Sequence, residues 1–247
     1  MRPKTKLMSS IQLIQNKSFV PKEFNRVARS YDFATTMSQG YQEDLYTSAK
    51  RLQLKGDEKV LDLCCGTGKS TRACLNELSN GTIVGVDNSE GMLAEAQAKF
   101  AEEVKAGKVK FVLKDAMHLH FDEHTFDVVF MAYGLRNMPD YEKSIQGISR
   151  VLKPGGKICI HDYSLSNNYF SKIYWAILGY GFIVPFCSLL SGSSKIYTYL
   201  VKSVLNFLQP EQIKNLLEQN GFEKVEIQPH ASWRKPILHS VIATKRA

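Results

Sequence analysis

One stretch of the chain combines acidic, cysteine and glycine residues at a spacing that suits cofactor binding. Asp62, Cys64, Gly66 and Gly68 alternate along the sequence, and Asp87 follows the loop by about 20 residues. Glycine lets the backbone approach a ligand where a Cβ atom would collide. A carboxylate at that distance is placed to accept hydrogen bonds from ribose hydroxyls. The pattern predicts a site for a cofactor that contains a nucleoside.

The same loop argues against two common nucleotide sites. A dinucleotide fingerprint needs glycine or alanine three residues after its second glycine, and this chain has Thr71 there. A phosphate-binding loop that ends in Gly-Lys-Ser needs a glycine five residues before Gly68, where this chain has Leu63. The spacing therefore disfavours a dinucleotide and excludes the phosphate-binding loop.

Strand and helix signals alternate along the chain at the spacing of βαβ units. The predicted strands cover residues 60–63, 83–86, 109–113, 127–132, 157–161, 224–228 and 238–244. The predicted helices cover residues 23–40, 41–52, 69–78, 92–104, 141–152 and about 210–220. These segments predict a single α/β domain over residues 1–247, with a Rossmann-like, seven-stranded, mostly parallel sheet that ends in an antiparallel hairpin.

Polar residues follow the two central strands of this sheet. Arg136 and Asn137 come after the fourth strand, and Asp162 and Tyr163 come after the fifth. Ligands of open α/β sheets bind outside the carboxyl ends of the strands. An active-site role is therefore favoured for Arg136 and Asp162, and the alternative is that Arg136 and Asn137 only brace a loop.

Composition is that of a globular enzyme, with 44% hydrophobic and 23% charged residues in 247. The 5 cysteines form no Cys-x-x-Cys pair and are odd in number, which predicts reduced thiols in the cytoplasm. His118, His120 and His124 lie near one another in sequence, but no second cluster completes a metal site. We expect no metal and no secretory signal.

Several motifs recur in the order found in one enzyme family. The glycine loop resembles motif I of class I S-adenosylmethionine-dependent methyltransferases. Residues 133–137 read Tyr-Gly-Leu-Arg-Asn, residues 151–156 read Val-Leu-Lys-Pro-Gly-Gly, and Tyr31-Asp32 lies near the N-terminus. With Tyr197-x-Tyr199-Leu200, these motifs resemble the ubiquinone/menaquinone biosynthesis C-methyltransferase family from about residue 24 to the C-terminus.

The resemblance implies S-adenosylmethionine as the cofactor and assigns residues to it. In the family, the glycine loop wraps the methionine part, the acid after the second strand holds the ribose, and an acid–alanine pair lies at the adenine. The positions carried over are Tyr31, Asp62, Cys65, Gly66, Thr67, Gly68, Asp87, Asn88, Asp115, Ala116 and Ala132. Tyr31 belongs to a helical segment, residues 1–55, that is expected to close over the cofactor. The chain departs from the family where Cys65 replaces the first loop glycine and where Ala132 replaces a frequent serine.

The resemblance also implies the reaction, C-methylation of the ring of a prenylated quinol such as demethylmenaquinol or a ubiquinol precursor. Methyl transfer from a sulfonium is an in-line displacement that depends on positioning. A ring carbon becomes nucleophilic when a neighbouring hydroxyl loses its proton. We expect Arg136 to stabilise the phenolate and Asp162, or a histidine such as His239, to accept the proton.

An apolar segment interrupts the pattern after the fifth strand. No charged residue occurs between Lys172 and Lys195, a length that could span a bilayer. Strands that must join one sheet precede and follow it, so residues 165–208 are predicted to form an apolar cap over the acceptor pocket. Gly179, Gly181 and Pro185 are expected to break any helix there into pieces.

The cap is also expected to attach the protein peripherally to a membrane. Trp175, Phe182 and Phe186 would face the lipid, and Lys172, Lys195 and Lys202 would face anionic head groups. Between Asp162 and Glu211 the chain has no acidic residue.

Two other substrate classes compete with the quinol. The first alternative is a related enzyme that methylates another lipid or small molecule. The second is a nucleic-acid methyltransferase, with which the net charge of +8 is compatible. None of the 8 prolines adjoins another, so the Asn/Asp-Pro-Pro-aromatic signature of base methylation is absent. Nucleic acid is therefore the less favoured partner. The ring type, the tail length and a possible homodimer stay open.

Overall fold

The computed structural model describes residues 39–191 and 194–247. Tyr31 and the predicted helix at residues 23–40 lie outside the described residues, except for the last two positions of that helix. The described strands are β1 (Lys59–Leu63), β2 (Thr82–Asp87), β3 (Val109–Leu113), β4 (Phe126–Ala132), β5 (Leu152–Tyr163), β6 (Phe222–Pro229) and β7 (Leu238–Lys245).

All seven strands form one sheet in the order β3-β2-β1-β4-β5-β7-β6. Strand β7 runs antiparallel to both β5 and β6, and the other neighbours are parallel. The predicted fold class is confirmed. Strand order reverses between β1 and β4, so their carboxyl ends form the switch point at which open α/β sheets bind ligands.

Helices cover both faces of this sheet, and β4 is consequently buried along almost its whole length. The helices are α1 (Gln39–Arg51), α2 (Lys69–Leu75), α3 (Glu90–Lys99), α4 (Ala101–Lys105), α5 (Tyr141–Val151), α6 (Tyr169–Leu178), α7 (Val184–Ser191), α8 (Lys195–Leu205) and α9 (Pro210–Gln219). Short 3-10 turns occur at Leu135–Asn137 and Ser232–Arg234, and a π turn occurs at Gly179–Ile183.

The predicted helix at residues 92–104 is two helices in the structure, because Phe100 leaves helical geometry between α3 and α4. The Phe100 ring is buried and packs edge-on against Phe111, with ring centroids 5.6 Å apart. It also lies under the cofactor loop, where a Cβ atom on Gly68 would come within 2.6 Å of the ring. Burial of this ring therefore outweighs continuation of the helix.

The apolar segment does not break into pieces, and that expectation is wrong. Helices α6 and α7 join through the π turn into one helix over Tyr169–Leu189. Pro185 lacks an N–H donor, and the turn before it widens to the i→i+5 pattern of a π-helix instead of ending. Gly179 lets this turn approach α8, since a Cβ atom there would lie 2.5 Å from a Val201 methyl.

Trp175 does not face the surface, which corrects the expectation that it touches lipid. Its side chain is only 1% exposed. The ring centroid lies 5.0 Å from that of Tyr163, and the indole Nε1 donates a hydrogen bond of 3.1 Å to the Val201 carbonyl. A tryptophan packs here because its one polar group has a partner. Trp175 therefore anchors α6 to the sheet and to α8.

Candidate active site

The glycine loop follows β1 and turns back towards α2 at the switch point of the sheet. Cys64, Gly66 and Gly68 all have positive φ, of 64°, 54° and 86°. The Cys65 amide donates to the Val86 carbonyl at 3.0 Å, and the Gly68 amide donates to the Cys65 carbonyl at 2.9 Å. A Cβ atom on Gly66 would meet nothing within 4 Å, so the backbone at Gly66 borders open space that a ligand can enter.

Asp62 lies fully buried beneath this loop. Its Oδ2 accepts hydrogen bonds from the hydroxyls of Ser70, at 2.8 Å, and Thr71, at 2.6 Å. Its Oδ1 is buried and has no hydrogen-bond partner among the residues that the structure describes. Burial raises the pKa of Asp62 to about 7, although the bonds from Thr71 and Ser70 act in the opposite direction.

An unpaired buried carboxylate oxygen is unusual in proteins. It allows us to ask whether the predicted cofactor, S-adenosylmethionine, carries a donor that would pair with it. The α-ammonium group of a methionine moiety would supply the missing donor at Asp62. The open space at Gly66 would receive the part of the cofactor that lies against the loop backbone. Thr67, which completes the loop, is buried. The loop therefore fits S-adenosylmethionine, which supplies an electrophilic methyl group when bound.

Asp87 ends β2 beside the loop and already holds two backbone amides. Its Oδ2 accepts from the Gly66 N–H at 2.8 Å, and its Oδ1 accepts from the Ser89 N–H at 3.0 Å. Burial raises its pKa, and these backbone bonds oppose that shift. A carboxylate has about four lone-pair sites, so acceptor capacity remains for ribose hydroxyls. Asn88, the next residue, is exposed.

Asp115 and Ala116, the two positions predicted to contact adenine, follow β3. Asp115 is exposed, accepts the Met117 amide at 2.8 Å, and lies 3.3 Å from the Nδ1 of His118. Ala116 is buried in the core. Leu113, which the sequence analysis did not single out, is 50% exposed and pairs in register with Asp87. A leucine at the end of a predicted strand, two residues before Asp115, was the sequence signal for an apolar surface beside Asp87.

The two predicted catalytic residues come together across the sheet. The Arg136 guanidinium donates to the Asp162 Oδ1, and both side chains are at least 95% buried. The same Oδ1 also accepts the Tyr163 amide at 2.8 Å, and the Arg136 amide lies 3.4 Å from Oδ2. Burial raises the pKa of Asp162, and the charge of Arg136 acts in the opposite direction. Asp162 is thus placed to orient Arg136.

The Tyr-Gly-Leu-Arg-Asn motif touches both the glycine loop and the segment predicted to form the apolar cap, residues 165–208. A Cβ atom on Gly134 would lie 2.9 Å from the Cys64 sulfur of the loop. On the other side, the Tyr199 hydroxyl of α8 donates to the Asn137 Oδ1 at 3.0 Å. Burial raises the pKa of Tyr199, and raises that of nearby Tyr141 to about 12. The motif therefore connects the predicted methyl donor site to the helices above it.

Aromatic rings surround the start of this motif, next to buried Ala132 at the end of β4. The Tyr133 ring stacks on Tyr41 with centroids 5.0 Å apart and lies 5.2 Å from the Tyr163 ring. The Arg136 guanidinium carbon is 5.6 Å from the Tyr133 centroid. This enclosure keeps bulk water away from the Arg136 charge, which strengthens electrostatic interactions.

His239, the histidine proposed as an alternative base, has another partner. Its Nδ1 donates to the Ser164 carbonyl at 2.8 Å. Burial lowers its pKa. A neutral imidazole that donates from Nδ1 leaves Nε2 as its acceptor atom. The structure places His239 opposite Asp162 on the adjacent strand, and its role as a base stays a prediction.

A sequence profile of the ubiE/COQ5 methyltransferase family matches residues 12–239. The chain belongs to this family. It is therefore an S-adenosylmethionine-dependent methyltransferase, and the glycine loop with the unpaired Asp62 oxygen fits that cofactor. The match covers every described residue of the site.

Relatives and solved structures agree with this membership. The chain is 36% identical over 221 residues to a demethylmenaquinone methyltransferase of Lactococcus lactis, covering 87% of this chain and 86% of the relative. A second such enzyme, of Lactobacillus johnsonii, is 34% identical over 211 residues, with 83% and 84% covered. A putative methyltransferase of Bacillus halodurans has the same fold, with a TM-score of 0.59, 19% identity, and 83% and 100% of the chains covered.

The fold also occurs with product bound in another enzyme. A phosphoethanolamine N-methyltransferase of Haemonchus contortus, solved with S-adenosylhomocysteine, superposes with a TM-score of 0.61 at 20% identity. The match covers 83% of this chain and 53% of that one. At this identity the likeness shows the fold alone, so the acceptor must be argued from this chain's own residues and its family.

Proposed function

We propose that this family member C-methylates the ring of a reduced, prenylated naphthoquinol, demethylmenaquinol, in quinone biosynthesis. The observation that carries the proposal is the buried Arg136–Asp162 pair, in a motif that contacts the cofactor loop through Gly134 and the apolar cap through Asn137. The curated relatives named demethylmenaquinone methyltransferase, at 33–36% identity, support the naphthoquinol ring over the benzoquinol ring.

Chemistry at the site follows from the charge of Arg136. A quinol carbon attacks the sulfonium methyl only after an adjacent hydroxyl has lost its proton and charge has moved into the ring. A buried guanidinium stabilises that phenolate far better than water does. Asp162 fixes the guanidinium in one orientation, and the surrounding tyrosines exclude water. Positioning by these residues provides the catalysis.

Product analysis tests this proposal. Purified protein with S-adenosylmethionine is expected to add one methyl group to a ring carbon of reduced demethylmenaquinol, detected by mass spectrometry and proton NMR. The oxidised quinone should stay unmodified, because it has no hydroxyl to form a phenolate. A demethylated benzoquinol with the same tail serves as the matched control for ring type, and it should react more slowly. Methylation of RNA, or of a phospholipid amine, in preference to the quinol would contradict the proposal.

The second part of the proposal concerns where the enzyme meets this substrate. In the described part of the chain, one helix, Tyr169–Leu189, is long and apolar enough to cross a membrane. Most of it is exposed, and six of its exposed apolar side chains form what we call the apolar stripe: Phe170, Ile173, Ile177, Phe182, Phe186 and Leu189. Large exposed apolar surfaces of this kind mark sites of interaction.

The π turn is what keeps the apolar stripe on one side of the helix. Spacings along the stripe are three or four residues except between Ile177 and Phe182, which are five apart. In an α-helix, a five-residue step rotates a side chain by about 140° from the starting face. The π turn at Gly179–Ile183 has i→i+5 hydrogen bonds and is wider than an α-helical turn, so each of its residues rotates less about the helix axis. This smaller rotation brings Phe182 closer to the face that carries Ile177.

We infer that the apolar stripe attaches the protein peripherally to a lipid surface, without spanning it. The sheet strands β5 and β7, before and after the segment, are direct neighbours in one sheet, so both ends of the helix stay with the same domain. Lys172, Lys195 and Lys202 are exposed around the segment, and each lysine near an anionic surface contributes about 1 kcal/mol. A prenylated quinol resides in the bilayer, which supports collection at its surface.

Liposome flotation measures this attachment. The wild-type protein should float with anionic liposomes and be released by high salt, since salt screens the lysine contribution. Changing Phe182 and Phe186 together to serine should reduce flotation several-fold while leaving the melting temperature nearly unchanged, because both rings are about two-thirds exposed. Trp233→Ser is the matched control, an exposed aromatic residue outside the stripe.

Three results would contradict peripheral attachment. Resistance to carbonate extraction would indicate a spanning helix. Indifference to liposomes of every charge would mean that lipid does not cover the stripe. A stable dimer that the Phe182 and Phe186 double variant converts to monomer would mean that a second copy covers it.

A further inference from the structure

A chain of buried polar side chains leads from the active site into the interface between α1 and the sheet. The Tyr133 hydroxyl lies 2.9 Å from the Nε2 of His161, and the Nδ1 of His161 lies 2.8 Å from the Ser48 hydroxyl. Ser48 lies 2.7 Å from the Ser240 hydroxyl and 3.2 Å from the Nε2 of His230. All five side chains are at least nine-tenths buried.

The chain continues to a charged group, the ion pair of Asp44 with Arg234. The Arg51 guanidinium contacts it on the way, 3.2 Å from the Nε2 of His230 and 3.1 Å from the Ser240 hydroxyl. The Ser240 hydroxyl lies 2.9 Å from the Nε2 of His230, whose Nδ1 is 3.0 Å from the Asp44 Oδ1. The other Asp44 oxygen forms an ion pair of 2.6 Å with Arg234, which is partly exposed. Asp44 and Ser48 lie one turn apart on the face of α1 that packs on the sheet.

The proposed reaction must dispose of one proton per turnover. The quinol hydroxyl gives up its proton, the sulfonium carbon–sulfur bond breaks, and a carbon–carbon bond forms at the ring. The methylated ring carbon then loses its hydrogen as a proton while the carbonyl formed in the attack regains one. Reactants carry the positive sulfonium charge, and the products are a neutral thioether and a neutral quinol. One proton is therefore left in an enclosed site.

We propose that Tyr133, His161, Ser48, Ser240 and His230 carry this proton from the acceptor hydroxyl to Asp44 on α1. This inference rests on the proposed function. Each hydroxyl and each neutral imidazole can donate one hydrogen bond and accept another, which is what stepwise transfer needs. Ser48 also bonds the Asp44 carbonyl at 2.9 Å, so its single hydrogen must alternate among several acceptors. Burial lowers the pKa of His161 well below its usual range, which keeps its ring neutral.

The positions of the two ends of the network distinguish a proton relay from a network that only attaches α1 to the sheet. Apolar side chains would attach the helix without the desolvation that buried polar groups require. The inner end is the aromatic residue of the Tyr-Gly-Leu-Arg-Asn motif, next to the Arg136 guanidinium. The outer end is a carboxylate paired with a partly exposed arginine. A structural network has no need to connect these two places.

Ser48→Ala breaks the chain at its middle and leaves Tyr133 and the cofactor loop unchanged. Single-turnover methyl transfer to reduced demethylmenaquinol would be measured by rapid quench at saturating S-adenosylmethionine, in H2O and in D2O. A relay that has lost its central hydroxyl should slow the reaction about 10²-fold, as expected for general acid–base groups. The solvent isotope effect should become larger than that of wild type, because proton removal now limits the rate. Cofactor affinity should change less than twofold.

Ser144→Ala is the matched control, since Ser144 is another buried serine on a helix packed against the sheet, outside the network. It should leave the rate and the isotope effect at wild-type values. A Ser48→Ala variant that reacts at the wild-type rate would overturn the relay. A slow variant with an unchanged isotope effect would also overturn it and would assign the network to positioning α1. A wild-type protein that methylates no quinol would instead overturn the proposed function, and the relay with it.

Discussion

Replacing Arg136 with alanine should lower the free energy of unfolding by about 3–5 kcal/mol, the range found when one partner of a buried ion pair is removed. The reason is that the Asp162 carboxylate would stay buried without its main counter-charge. The same variant should also lose turnover by at least about 10²-fold, because the phenolate would lose its stabilising charge. Urea unfolding and quinol methylation measure the two effects separately.

A second variant separates folding from catalysis. In the Arg136→Ala, Asp162→Asn double variant, the orphaned negative charge is gone and the asparagine oxygen can still accept the Tyr163 amide. We expect most of the lost stability to return and the turnover to stay low. Arg136→Lys keeps the charge but loses the guanidinium geometry, so it should be more stable than the alanine variant. Recovery of turnover in the double variant would show that Arg136 is only structural.

Replacing Asp87 with alanine should weaken S-adenosylmethionine binding by about 1–3 kcal/mol, or about 5- to 150-fold in Kd. The ribose would lose its charged acceptor, and the Gly66 and Ser89 amides that Asp87 now holds would lose theirs. The loop would then be less well ordered for the methionine part. Isothermal titration calorimetry with S-adenosylmethionine measures the change directly.

Asp115→Ala is the matched control for this prediction, because Asp115 is also a cofactor candidate but is exposed and holds one backbone amide. Its loss should weaken binding less than the loss of Asp87. Equal effects of the two variants would mean that the second backbone amide held by Asp87 contributes nothing to binding. Tighter binding of NAD than of S-adenosylmethionine by the wild-type protein would contradict the cofactor assignment itself.

Features that depend on nearby residues could be predicted from the sequence. The loop from Asp62 to Gly68 and the acid Asp87 belong to one βαβ unit, whose geometry is set by short connections and by the positive φ that glycine permits. The mostly parallel sheet with its antiparallel end followed from the alternation of strands and helices, because crossover connections allow few arrangements. The same local chemistry identified Arg136 and Asp162 as residues at strand ends.

Pairing between distant residues could only be seen in the tertiary structure. Arg136 and Asp162 are 26 residues apart and form an ion pair, and Ser48 and His230 are 182 apart and share a network. No sequence pattern specifies such contacts, since they depend on how α1, β5 and β7 stack. The same holds for the faces of the apolar helix. Trp175 and Phe182 look alike in the sequence, but packing against Val201 buries one, and the π turn leaves the other exposed.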